Sequence, residues 1–234
     1  PPHDITGEPY EPHLPTGPGS EILRELIELS RKAFLAHPVN RFRRDKSLRA
    51  ANSIWFWGEG KKPALQAYAE RFGVSAAAIT AVDLVRGIAT LAGMDVIDVP
   101  GATGFIDTNY IGKGEAAVAA LDDHDLVIVH VEAPDECGHN GMAVEKAASL
   151  DDIDAKVVAP VLARLQQESD WRILISPDHP TPCTIKTHTH EPVPFVLAGS
   201  DIDANGAAML TEQAADATGL KIAKGFELIH QLLN

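Results

Sequence analysis

The sequence predicts an α/β fold, a mostly parallel sheet flanked by helices, with a smaller N-terminal part of different character. Three observations predict it. From Val74 onward, short apolar runs rich in Val, Ile and Leu alternate with helical stretches, as in strands buried on both faces. Helices in that part begin acidic and close on glycine, as at Asp83 and Gly93. The residues before Gly73 lack this alternation and are by turns proline-rich, basic and aromatic.

Taken in order, residues 1–18 carry six prolines and read as an extended loop unable to hold a helix. Ser20 is expected to N-cap a helix with Ile22, Leu23, Leu26, Ile27 and Leu29 on one stripe, ending at His37-Pro38. The stretch from Asn40 to Arg49 is strongly basic, with Arg41, Arg43, Arg44, Lys46 and Arg49. It is either a solvated face or a clamp for phosphate, which planar guanidinium groups hold through two bonds at once. Ile54 to Gly60 reads as an aromatic strand with a glycine turn, its tryptophans more suited to a core than to a stacking platform. A helix follows over Pro63 to Phe72, ended by Gly73. Beyond it, strands are expected at 77–82, 94–99, 126–131, 172–175 and 193–198. Helices are expected at 83–91, 114–121, 144–165, 209–217 and 225–233.

Composition excludes several roles. The chain has 234 residues, 45% of them hydrophobic, enough for one substantial core, and no apolar run approaches a membrane span. A formal net charge of −13 argues against a nucleic-acid partner, since phosphate backbones demand Lys and Arg. Cys137 and Cys183 make no disulfide framework, and with no leader-like opening at Pro1-Pro2-His3-Asp4 they lead us to expect a reducing cytoplasm.

The chemistry is concentrated in two clusters that follow strand-like runs. Leu126 to Val131 leads into Asp135-Glu136-Cys137-Gly138-His139, and Arg172 to Ile175 leads into Asp178-His179-Pro180-Thr181-Pro182, with His188 downstream. In open α/β sheets, ligands bind at the carboxyl ends of strands. A lone Asp-His pair is usually an ordinary turn. Several such elements on an acidic chain need a cation, because crowded carboxylates cost several kcal/mol unless compensated. Mixed oxygen and imidazole donors suit Mn, Zn, Fe or Co better than Ca, and point to two-metal phosphoryl chemistry.

The run HVEAPDECGHNG, SPDHPTP and THTHEPVPF, with VPGATGFIDTNYIGKGEAA, AVDLVRGIA, NSIWFWGEG, HPVN and PPHDITG before it, spans nearly the whole chain. It resembles the cofactor-independent phosphoglycerate mutases of the archaeal type, in the alkaline phosphatase superfamily. The resemblance implies residues 1–73 as part of an α+β cap that positions substrate, and residues 74–234 as part of the metal-binding domain. It also implies a C-terminal fragment, with the first metal-binding Asp and the nucleophilic Ser in a missing N-terminal segment of the same protein.

Carried over residue by residue, the resemblance assigns Asp135, His139 and His188 to one divalent ion, and Asp178 and His179 to a second. The ions would be Mn, or Mg, Zn or Co. His3 and Asp4 of the HDITG element, Asn40 and Arg43 of HPVNxxR, and Arg86 would meet the substrate, a small phosphorylated three-carbon acid. Ser47 and Ala50 depart from the glycine and proline usual in the arginine segment. His190, two residues from His188, occupies a variable position. The implied activity is interconversion of 3- and 2-phosphoglycerate through a phosphoserine, as in glycolysis and gluconeogenesis. A related phosphomonoesterase, a homoserine kinase-like phosphotransferase and an inactive metal-binding fragment are the alternatives.

Overall fold

The computed structural model describes residues 2–58 and 60–234, apart from the side chains of His3 and Asp4. The chain divides into two compact units, Pro1–Lys62 and Pro63–Asn234, rather than at Gly73.

In the first unit, two short 3-10 turns, Pro2–Ile5 and Glu11–His13, occupy what reads as a proline-rich loop. Helix α1 (Ser20–Ala36) starts one residue earlier than capping by Ser20 would require. Its N-cap is Gly19, at φ 85, and no side chain caps it. Ile27 is the buried residue of the apolar stripe, and Ile22, Leu26 and Leu29 are exposed. Pro38 ends α1 and opens helix α2 (Pro38–Asp45), with the His37 ring accepting a bond from Val39 N–H at 3.3 Å. Proline suits a first helical position because its missing N–H would have no partner there. No strand forms among the described residues of this unit, and Ile54 to Trp57 run as irregular chain. The expected β component of the cap is therefore not seen.

The second unit opens with helix α3 (Tyr68–Phe72), five residues against the ten expected. Strands β1 (Ala76–Ile79), β2 (Asp95–Ile97) and β3 (Leu126–Val129) form a parallel sheet in the order β2-β1-β3. Helices α4 (Asp83–Leu91) and α5 (Tyr110–Ala120) make the crossovers. Central β1 reads Ala-Ala-Ala-Ile and is wholly buried, as a strand covered on both faces should be. Asn109 caps α5 by accepting from Gly112 N–H at 2.9 Å, so this helix begins earlier than Gly114.

Helix α6 (Ala133–Asn140) follows β3, and α7 (Ala143–Ile153) runs through one π turn, Asp154–Val158, into α8 (Ala159–Leu165). Strands β4 (Arg172–Ile175) and β5 (Val196–Gly199) form a separate antiparallel pair, a local departure from the parallel expectation. Helices α9 (Glu212–Ala217) and α10 (Leu228–Leu233) close the chain. Ala76, Ala78, Ala89, Ala92, Met94 and Leu126 form the core, covered by Tyr68, Ile229, Leu232 and Leu233. Among the described residues, no helix is long and apolar enough to cross a membrane.

One contact beside the sheet is pH-sensitive. His124 Nε2 meets Asp95 Oδ2 at 3.0 Å, and this bond holds the imidazole pKa above its ordinary value. A folded value above the unfolded one gives stability that is complete below about pH 6.5 and is lost as pH rises through the folded value. Thermal melts should show His124→Gln less stable than wild type at about pH 5.5, with the gap narrowing by about pH 8.5. An equal gap at both pH values would contradict this.

Candidate metal centre

The Asp135–His139 pair lies on a helix rather than in a loop. Pro134 sits in the first turn of α6 and Gly141, at φ 71, ends it. Residues four apart share a helix face. Asp135 Oδ2 is accordingly 3.3 Å from His139 Nε2.

The segment after β4 brings the remaining donors to that face. His188 Nε2 lies 2.9 Å from His139 Nε2 and 3.5 Å from Asp135 Oδ1. His139 Nδ1 donates to the Lys186 carbonyl at 3.0 Å. A carbonyl only accepts, so the proton is on Nδ1 and Nε2 carries the lone pair. Lys186 holds this position at φ 58, a left-handed backbone uncommon outside glycine.

These spacings fit a divalent ion. Imidazole nitrogens bind zinc at about 2.1 Å, which places neighbouring donors about 3.0–3.4 Å apart in octahedral or tetrahedral geometry. The three donor separations, 2.9, 3.3 and 3.5 Å, lie in or just outside that range. A looser set, Asp135, His179 and His188, has ligand atoms within 4.8 Å of one another.

Asp178 and His179 form a second, more open group. His179 Nε2 is 3.3 Å from Asp178 Oδ2, whose side chain is 77% exposed against 21% for Asp135. The His179 ring lies over His188 with centroids 3.9 Å apart. Between the groups, the Thr181 hydroxyl bonds Asp135 Oδ1 and stands 3.2 Å from His179 Nδ1. No sequence pattern flagged Thr181, although it lies inside the Asp-His-Pro-Thr-Pro run.

Neither cysteine is placed as a ligand by these contacts. Cys137 is fully buried and burial pushes its thiol pKa up, which disfavours the thiolate a metal needs. His190 belongs to neither donor set.

The expected substrate contacts are differently placed. Arg86 Nη1 pairs with Asp98 Oδ1 at 2.8 Å, beside the end of β2. In the first unit, the Arg43 Nε donates to the Arg49 carbonyl at 2.5 Å. Asn40 is buried and spent on the backbone: its amide donates to the Phe34 and Ala51 carbonyls at 2.8 and 2.7 Å, and its oxygen accepts from Ala51 N–H at 3.0 Å. Asn40 thus clasps the loop after α2. The side chains of His3 and Asp4 lie outside the described residues.

A family profile described as the metalloenzyme superfamily matches residues 19–230. The chain belongs to that superfamily. Two curated relatives of this metalloenzyme are informative. A protein of Geobacter sulfurreducens named probable 2,3-bisphosphoglycerate-independent phosphoglycerate mutase is 49% identical over the whole of this chain and 59% of its own length. A Methanosarcina acetivorans protein named as the same mutase is 45% identical over the same shares. The metalloenzyme chain thus spans 59% of the length of these relatives.

A solved structure from Pyrococcus horikoshii superposes on 85% of this chain and 52% of its own, with TM-score 0.68 and 31% identity. A cofactor-independent phosphoglycerate mutase from Thermoplasma acidophilum superposes with TM-score 0.58 at 24% identity, covering 92% of this chain and 51% of its own, a likeness of fold.

Proposed function

We propose that this metalloenzyme chain is the metal-binding part of a 2,3-bisphosphoglycerate-independent phosphoglycerate mutase. One observation carries the reading: Asp135, His139 and His188 converge at metal-ligand spacing beside the Asp178–His179 pair. Residues 74–234, with α3, would be the phosphatase-like part and the residues before them part of the cap. The serine nucleophile and the remaining ligands are assigned to sequence outside this chain. Two free cysteines favour a cytoplasmic setting.

Bound divalent ions, Mn by preference, would supply charge neutralisation of the phosphoryl group and a lowered serine pKa. The chain's own residues prepare for that. Asp135 brings negative charge to the tight set, and the Lys186 carbonyl orients His139 so that Nε2 faces inward. The Asp178 carboxylate of the second group is open to solvent. Arg43, oriented by its bond to the Arg49 carbonyl, would hold the anionic glycerate during reorientation.

Arg43→Ala in the complete protein should therefore raise KM for 3-phosphoglycerate, at a cost of about 1.5–3 kcal/mol. Arg49→Ala keeps the carbonyl that orients Arg43 and should do little. Equal effects would reduce the segment to a solvated basic face.

The function itself is tested with the complete protein, manganese and 3-phosphoglycerate. The expected result is 2-phosphoglycerate without added bisphosphoglycerate and little free phosphate. Rapid phosphate release without 2-phosphoglycerate would make it a phosphomonoesterase. ATP-dependent phosphorylation of homoserine without isomerisation would make it a kinase.

A further inference from the structure

We propose that Thr181 is the positioning residue that joins the two ligand groups: its hydroxyl donates to Asp135 and accepts from His179 Nδ1–H, committing His179 to bind its ion through Nε2. The proposal rests on the two-group reading of the metal centre.

Proton count sets the direction of both bonds. A hydroxyl has one proton, and a carboxylate can only accept. Thr181 Oγ1 bonds Asp135 Oδ1, so its proton is used there. The same oxygen lies 3.2 Å from His179 Nδ1, and with no second proton to give it must accept. Nδ1 therefore carries hydrogen in the neutral ring, and the lone pair is on Nε2, 3.3 Å from Asp178 Oδ2. One hydroxyl thus fixes the tautomer of a ligand in one group and orients the carboxylate of the other.

The hydroxyl is held where it can do this. Thr181 is 4% exposed. Its carbonyl accepts from Lys146 Nζ at 2.7 Å, a bond reaching over from α7. On the other side α6 presses against it through Gly138, where any Cβ would collide with the Thr181 carbonyl and side chain. The Pro180 carbonyl accepts from Thr189 N–H at 3.1 Å, closing the loop that carries His188. A β-branched side chain in so tight a setting has few rotamers to choose from. Partners beyond the ligands commonly change metal affinity by about 10–100-fold when removed.

The test uses the 234-residue chain, Thr181→Val, which keeps the shape and loses the hydroxyl, and Thr181→Ser, which keeps the hydroxyl. Manganese and zinc binding are measured by calorimetry, with folding followed by amide spectra. Expected is a loss of affinity of about 10–100-fold in Thr181→Val and of a few-fold at most in Thr181→Ser. Nitrogen-15 spectra of the metal-free chain, taken where imidazoles are neutral, should show His179 protonated at Nδ1. A folded Thr181→Val that binds like wild type, or His179 protonated at Nε2, would overturn the proposal. If Thr181→Val fails to fold, Thr181→Ser and the tautomer decide. If the wild type binds neither ion, the two-group reading fails, while the His179 tautomer still tests the hydroxyl's role.

Discussion

Replacing Asp135 with Asn is expected to abolish tight divalent-ion binding, lowering affinity by more than about 100-fold. Asp135 is the single carboxylate of the tight group, with His139 Nε2 at 3.3 Å and His188 Nε2 at 3.5 Å. Its charge offsets that of the ion, and its two oxygens face the Nε2 atoms of His139 and His188. An amide keeps the size and one oxygen but loses the charge. Calorimetric titration of the folded variant checks this. Affinity within a few-fold of wild type would remove Asp135 from the centre.

The second large effect is on stability. Gly114 in α5 packs where any Cβ would strike the Lys156 carbonyl in the π turn 154–158. Both sides of that contact are backbone, so no side chain can yield. Neighbouring Lys113 is buried and donates through Nζ to the His130 carbonyl at 2.9 Å, just past the end of β3. Moving α5 outward would pull that bond as well. Gly114→Ala is therefore expected to destabilise the chain by about 3 kcal/mol, at the upper end of overpacking effects, and to lower Tm by roughly 6–12 °C. A denaturation curve showing a change below about 0.5 kcal/mol would mean that α5 and the π turn separate freely.

Much of the second unit was legible in the sequence because buried parallel strands leave a simple signature. Val, Ile and Leu runs marked β3 and β4, and acidic starts with glycine ends marked α4. The Asp-His motifs marked the candidate ligands because few other residue types can serve, and their division between two ions came from the family resemblance. Helix α6 was not anticipated, since its eight residues, framed by Pro134 and Gly141, are too few to show helical periodicity. Gly138 is there for a reason that only packing reveals, the close approach of the Thr181 carbonyl.

Helix α2 was missed for a related reason, because the proline that ends α1 also begins it. Aromatic character at Ile54 to Trp57 suggested a strand, yet strand propensity needs a neighbouring strand to be realised. Asn40 was assigned to the substrate through the resemblance of HPVNxxR, which carries no account of its own bonds. Its three backbone bonds are long-range facts that local pattern cannot contain.

On the proposed reading, this chain carries two unequal ligand groups, a nearly complete set at Asp135–His139–His188 and a partial one at Asp178–His179. Manganese titration of the 234-residue chain, beside Asp178→Asn and Asp135→Asn, tests it most directly. Affinity falls as ligands are lost, so one ion should bind tightly and a second weakly. Asp178→Asn should remove the weak ion and leave the tight one, while Asp135→Asn removes the tight one. Two equally tight ions in the wild type, or a tight ion that survives Asp135→Asn, would contradict the assignment.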